Sequence, residues 1–159
     1  MKSQTKYVKK LNRRRVLICM IVFFALLPVF SYLHEGGHAL VCIADGNEAE
    51  ISVDIFNGGT TLCHGDVSNL FAYKISGGLV AGIVGTAAGI ALFRWKIPFI
   101  AITTIGIGHL INAGIEAFAD SYFTHGVEWS FFMGLVEFVI FLTLLIIFDR
   151  KMVKRNDFL

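Results

Sequence analysis

Four long apolar stretches limit what this chain can fold into. They cover residues 16 to about 44, 70–93, 97 to about 119, and 129–148. As helices that rise ~1.5 Å per residue, all four are long enough to cross the ~30 Å hydrocarbon core of a bilayer. Charged residues make up only 16 % of the 159 residues, and the mean hydropathy is +0.68. We therefore predict an all-α integral membrane protein with four transmembrane helices, not a soluble domain.

The segment between the first two stretches has a different pattern. Residues 49–56 alternate apolar and polar side chains, the Asn-Gly-Gly sequence at 57–59 favours a turn, and residues 60–63 can return as a second strand. This pattern predicts a short β-hairpin at the membrane surface between helices 1 and 2. An irregular loop is the alternative.

Positive charge lies at the two ends of the chain. Half of the 14 Lys and Arg residues are among the first 15 residues, whereas residues 45–69 contain five acidic residues and no basic one. Lys and Arg accumulate on the cytoplasmic side of membrane proteins, so we predict a multi-pass cell-membrane protein with both termini in the cytoplasm. The predicted organisation is a basic cytoplasmic tail (1–15), one membrane-embedded domain (16–148) and a second basic cytoplasmic tail (149–159). The apolar stretch directly after the first tail favours a membrane flank over a nucleic-acid-binding arm.

Three cysteines, Cys19, Cys42 and Cys63, lack the CxxC spacing of thiolate zinc sites. Cys19 lies in an apolar run, where packing is its expected role. Cys42 and Cys63 can pair, although nothing in the sequence requires it.

The strongest chemical signal is an HExxH motif near the end of the first apolar stretch, His34-Glu35-Gly36-Gly37-His38. Residues i and i+4 of a helix share a face, so the two imidazoles can bind one zinc ion while Glu35 stays off the metal. The glutamate can then take a proton from zinc-bound water and pass it to the leaving amine. Zinc itself lowers the pKa of that water to about 7 and polarises the scissile carbonyl. Imidazole and carboxylate groups in an apolar span are functional by default, the alternative being polar residues that pack helices together.

A catalytic zinc site usually has a third protein ligand, with water in the fourth position. The third apolar stretch runs in the same direction as the first, so its outer end is expected at the depth of the two histidines. A polar stripe lies there on one helix face, formed by His109, Asn112, Glu116 and Asp120. Asp120, and Glu116 one turn further in, are both candidates for the third ligand. Other candidates, each with a simpler role in a loop or in helix packing, are His64, His109 and His125.

These features resemble the site-2 protease family of intramembrane zinc metalloproteases. That family places HExxH on one transmembrane helix and an aspartate ligand on a later helix, eight residues after an asparagine. Asn112 and Asp120 have this spacing in the segment NAGIEAFAD. The resemblance implies that Asp120 is the third zinc ligand and that Asn112 helps to hold the substrate backbone or the oxyanion. It covers roughly residues 30–121, and Ala-Asp-Ser replaces the Leu-Asp-Gly that is typical of the family.

The sequence and the resemblance together predict an intramembrane zinc metalloprotease that hydrolyses peptide bonds in or near transmembrane segments, with its active site towards the extracytoplasmic side. The expected partners are the lipid bilayer and a membrane-protein or membrane-peptide substrate, which the strand edge at 49–63 can hold extended. Glu137 in the fourth stretch is expected to pair with a polar group or to pack helices. The alternative function is a catalytically inactive protease-like membrane module that binds clients or metal. A metal transporter is disfavoured because the chain has no internal duplication.

Overall fold

The computed structural model describes residues 13–54, 58–119 and 126–156. Over these residues the chain forms four helices and one two-stranded antiparallel sheet, in the order α1 (Arg13–Ala44), β1 (Glu48–Asp54), β2 (Gly58–His64), α2 (Leu70–Ala91), α3 (Lys96–Phe118) and α4 (Gly126–Asn156). The predicted mostly helical architecture, with a hairpin between helices 1 and 2, is confirmed.

All four helices are long and apolar enough to cross a membrane, judged by length and composition. Large apolar side chains are exposed on their outer faces; Leu40 is 62 % exposed and Phe131 is 71 % exposed. Extensive apolar surface is unusual for a soluble monomer and is the pattern expected where lipid is the solvent.

α3 is the central helix of the bundle. In its most apolar window 56 % of the residues are buried, against 17–33 % in the other three helices. Glycines allow α2 to pack directly against it: a β-carbon at Gly78 would lie 2.6 Å from the carbonyl oxygen of His109, and one at Gly85 would lie 2.7 Å from the Cα of Gly106. Because α3 is enclosed, its polar residues Asn112 and Glu116 face the protein interior.

The hairpin differs from its prediction in the extent of the second strand. Gly58 and Gly59, predicted as part of the turn, belong to β2, where they pair with Asp54 and Val53. Gly58 has a φ of 84°, a left-handed conformation that glycine adopts without steric cost. The remaining turn residues, 55–57, lie outside the described residues.

A disulfide joins Cys42, near the end of α1, to Cys63 in β2, and so resolves the pairing that the sequence left open. Cys42 is completely buried. Closing a loop of about 20 residues in this way stabilises a fold by about 3 kcal/mol, mainly by restricting the unfolded chain. Since Cys42 lies one helical turn after His38, the disulfide holds the hairpin against the end of α1 that contains HExxH.

Hydrogen bonds also hold the segment that leads from β2 into α2. The backbone N–H and the hydroxyl of Ser68 donate to the Asp45 carboxylate at 2.8 and 2.7 Å, and the Asn47 amide donates to the Asp66 carbonyl at 2.8 Å. The two bonds from Ser68 keep the pKa of Asp45 below its ordinary value. The hairpin is therefore connected to the rest of the protein at both of its ends.

Candidate metal centre

Three buried side chains from two helices converge on one point. The Nε2 atoms of His34 and His38 in α1 lie 3.2 Å apart, and the Glu116 carboxylate of α3 lies 3.0 Å from His34 Nε2 and 3.8 Å from His38 Nε2. Ligand atoms arranged tetrahedrally at 2.0–2.1 Å from zinc are about 3.3 Å from one another. The three side chains can therefore bind one metal ion.

The Glu116 carboxylate is the clearest indication that a cation belongs at this point. Glu116 is 1 % exposed, and its Oε2 has no hydrogen-bond partner within the described part of the chain. A buried carboxylate oxygen without a partner is strongly destabilising, and coordination to a cation removes that penalty. Its other oxygen, Oε1, accepts a hydrogen bond from Asn112 Nδ2 at 3.0 Å. The donor set thus fits a divalent metal ion.

The two histidines are oriented from behind by hydrogen bonds. Nδ1 of His38 lies 2.7 Å from the backbone carbonyl of Tyr73 in α2, and Nδ1 of His34 lies 3.2 Å from Nδ1 of His109 in α3. Metal-binding histidines typically donate the N–H of the other ring nitrogen to a carboxylate, a backbone carbonyl or water, and the Tyr73 carbonyl is such an acceptor for His38. Both imidazoles are therefore held with Nε2 towards the Glu116 carboxylate.

Glycine in α2 makes room for the cluster. A β-carbon at Gly77 would overlap the imidazole of His38 at Nε2. On the facing side, a β-carbon at Gly37 would lie 2.8 Å from the Cα of Gly77. The two helices can approach so closely, with the imidazole of His38 between them, because neither position has a side chain.

We expect Gly77→Ala to weaken zinc binding by roughly tenfold or more, because the added methyl group displaces the ring of His38, and disturbing the surroundings of a ligand has effects of this size. Zinc affinity can be measured on detergent-purified protein by competition with a chelator. Gly114→Ala is the matched control, since a β-carbon there would contact nothing within 4 Å. Wild-type affinity in Gly77→Ala would contradict the steric explanation.

Glu35 is buried beside the cluster and is held by the hairpin. The Thr61 hydroxyl lies 2.7 Å from Glu35 Oε2 and 2.9 Å from the Glu35 backbone carbonyl, so its single proton can be donated to either oxygen. The backbone of Gly59 packs directly on the Glu35 side chain, so that a β-carbon there would overlap it. These contacts leave Glu35 outside the set of converging ligand atoms.

A cavity of about 200 Å³ opens beside the cluster. Side chains and backbone from α1, β2, α3 and α4 line it, among them Ser31, His34, Glu35, Gly59, Asn112 and Glu137. A second cavity, of about 430 Å³ and almost entirely apolar, adjoins it between α1 and α4 and shares Leu27, Gly134 and Glu137. The cavity beside the cluster, with a mixed polar and apolar lining, thus adjoins an apolar cleft.

The residues predicted from the sequence are placed as follows. His34, Glu35 and His38 lie together, with Asn112 beside them. The third position of the cluster is occupied by Glu116, the alternative to Asp120. Two of the predicted candidates, Asp120 and His125, lie outside the described residues.

The remaining histidines and the fourth-helix glutamate have different positions. His64 is half-exposed in β2 and lies 3.8 Å from Glu50, which is itself on the surface. His109 contacts His34. Glu137 lines the cavity and packs on Gly108, where a β-carbon would overlap the Glu137 side chain. Sequence reasoning missed Thr61 and Tyr73, because each meets the motif across a gap of more than 20 residues without any local pattern.

Comparison with known proteins finds no matching family model, no matching curated protein and no matching solved structure.

Proposed function

We propose that this chain is an intramembrane zinc metalloprotease that hydrolyses peptide bonds in or near the membrane-spanning segments of other proteins. The observation that carries the proposal is the convergence of the two HExxH histidines with a buried carboxylate, while the glutamate of the motif stays beside them and off the metal. Two imidazoles and one carboxylate form a catalytic zinc set that leaves a fourth position for the reacting groups. When bound, zinc supplies Lewis-acid polarisation of the scissile carbonyl and acidifies the attacking water.

Glu35 is the proposed general base and general acid. Its carboxylate lines the same cavity as His34, so a water molecule in that cavity is within reach of both. One carboxylate oxygen is held by the Thr61 hydroxyl, which leaves the other to take the proton of the water and later to deliver it to the leaving amine. Glu116 cannot take this role because its oxygens face the histidines and Asn112.

Asn112 is proposed to orient the metal ligand Glu116 through the hydrogen bond from its amide. It also lines the cavity, where it is placed to contact the substrate backbone or the oxyanion that forms at the scissile carbonyl. Asp120, which the family resemblance implies as third ligand, competes with Glu116 for this assignment.

The substrate is proposed to enter from the lipid. Its membrane segment must unwind locally before hydrolysis, because a helix holds its carbonyl groups in backbone hydrogen bonds. The apolar cleft between α1 and α4 shares Leu27, Gly134 and Glu137 with the cavity beside the cluster, and it is the proposed route from the lipid. Gly58 and Gly59 of β2 line the cavity beside the cluster without side chains, and the proposed role of this strand is to pair with the extended peptide.

Cleavage of a mixed library of single-span membrane peptides by the purified protein tests the proposed activity. We expect product peptides cut within or beside the membrane segment, loss of cleavage after zinc is removed with a chelator, and recovery when about one equivalent of zinc is returned. Protein that binds zinc stoichiometrically but cleaves no peptide in the library, with or without added metal, would favour the inactive client-binding or metal-binding module.

The metal centre is proposed to lie towards the extracytoplasmic side, with both termini in the cytoplasm. The acidic hairpin and the basic chain ends support this orientation, and so does the disulfide between Cys42 and Cys63, since disulfides persist in oxidising compartments. A reporter that is active only outside the cytoplasm should be active when inserted after residue 57 and inactive when fused after residue 159. The reverse pattern would overturn the orientation.

A further inference from the structure

We propose that His109 is a positioning residue that holds His34 in its metal-binding tautomer by accepting a hydrogen bond at Nδ1. The inference rests on the metal centre of the proposed function and is independent of proteolysis. His109 is not one of the three converging ligands, but its ring contacts the Nδ1 side of the His34 ring.

The tautomer of His38 follows from its carbonyl partner. A backbone carbonyl only accepts hydrogen bonds, so the contact of 2.7 Å between His38 Nδ1 and the Tyr73 carbonyl places the proton of His38 on Nδ1. In the neutral ring Nε2 then has a free lone pair, which points towards Glu116 and His34.

The tautomer of His34 follows from the place of its Nε2 among the three ligand atoms that would hold the metal. Its Nε2 lies 3.2 Å from His38 Nε2 and 3.0 Å from Glu116 Oε1, so it needs a free lone pair to share one cation with them. The proton of a neutral His34 must then be on Nδ1, which lies 3.2 Å from Nδ1 of His109. For that contact to be a hydrogen bond, His109 must present a lone pair at Nδ1 and have its own proton on Nε2.

Packing holds the His109 ring in place for this task. The ring of Phe30 in α1 stacks on it, with centroids 6.1 Å apart and planes inclined by 21°. Its backbone carbonyl is packed against Gly78 of α2, where a β-carbon would lie 2.6 Å away. His109 is therefore fixed from two neighbouring helices.

An imidazole acceptor has a chemical consequence that a carboxylate acceptor would not have. A carboxylate behind a metal-binding histidine raises the basicity of that ligand. A neutral imidazole raises the basicity of the ligand less. His34 would then donate less electron density to a bound zinc ion, which would keep more of its Lewis acidity. The cluster already includes one anionic ligand in Glu116, and a second buried carboxylate behind His34 would reduce the net positive charge further.

Three substitutions of His109 separate this role from simple packing. In His109→Asn the amide oxygen can occupy the position of Nδ1, in His109→Gln the amide lies at the distance of Nε2, and His109→Leu has no acceptor. We expect roughly 10–100-fold weaker zinc binding in His109→Leu and His109→Gln, which is the usual effect of losing such a partner, and recovery to within a few-fold of wild type in His109→Asn. Zinc affinity by chelator competition and the absorption spectrum of the cobalt-substituted protein are the readouts.

Thr104→Val is the matched control. Thr104 is buried in the same helix, and its hydroxyl donates to the Ile100 carbonyl at a distance from the cluster, so this variant should bind zinc like wild type. Equal zinc affinity in the Asn and Leu variants of His109 would overturn the proposal.

Imidazole ¹⁵N shifts of the zinc-loaded wild-type protein test the same assignment without any substitution. They should place the proton of His34 on Nδ1 and the proton of His109 on Nε2, and the opposite placement at either ring would overturn the proposal. Protein that binds zinc with these tautomers but cleaves nothing would contradict the protease and leave the role of His109 standing.

Discussion

Replacing Glu35 with Gln will lower the rate of peptide cleavage by roughly 10²–10⁴-fold, the usual contribution of a general acid and base, while zinc binding stays at its wild-type level. Glutamine has nearly the same shape and can still accept the hydrogen bond from Thr61 that holds the side chain. Its amide cannot take a proton from water. Because Glu35 is not one of the converging ligands, its charge is not needed to retain the metal.

The measurement compares cleavage rate and zinc content in the same preparations. Glu128→Gln is the control, since Glu128 is an exposed acidic residue in the first turn of α4; it should cleave and bind zinc like wild type. A Glu35→Gln variant that loses zinc in proportion to its activity would assign Glu35 a role in metal binding. A fully active variant would contradict the proposed mechanism.

The second large effect concerns the third ligand. We expect Glu116→Gln to weaken zinc binding by at least about 10²-fold, because structural zinc binding amounts to roughly 10–16 kcal/mol shared among about four ligands. Asp120→Asn should have a smaller effect, since Glu116 already completes the cluster with His34 and His38. Zinc affinity of the two variants, measured side by side, tests this order directly.

A matched control and a second readout sharpen that comparison. Glu128→Gln changes an exposed acidic residue in the first turn of α4 and should bind zinc normally. In metal-free protein Glu116→Gln should be as stable as wild type or more stable, because it removes a buried charge with an unsatisfied oxygen. If Asp120→Asn weakens zinc binding more than Glu116→Gln does, the aspartate implied by the family resemblance is the third ligand.

Features with a local pattern were predictable. The four helices follow from runs of apolar residues, the hairpin from alternation and a glycine-rich turn, and the pairing of His34 with His38 from the helical i, i+4 spacing. In each of these cases the residues that cooperate lie within one element or in adjacent ones. The extent of β2 was less predictable, since glycines are equally suited to a turn and to a tightly packed strand next to Glu35.

The sequence pattern alone does not predict whether Glu116 or Asp120 is the third ligand. The two residues are four positions apart in the sequence, about one turn or about 5.4 Å on a continuous helix, but α3 ends at Phe118. Counting residues along a span does not locate a side chain to that accuracy, because the result depends on where each helix begins and how the two helices pack.

The sequence by itself determined the HExxH motif, the number and approximate positions of the apolar helices, and the hairpin that separates the first two, because each of these is encoded by spacing within a short segment. Only the tertiary structure decided that Glu116 converges with His34 and His38, that Cys42 pairs with Cys63, and that the hairpin covers Glu35. It also decided that Tyr73 and His109 contact the two histidines. These contacts join residues that are far apart in the chain. Glycines allow the helices to pack closely, and the polar groups between them are then shielded from water. Buried polar groups of this kind are stable only when they form hydrogen bonds with one another.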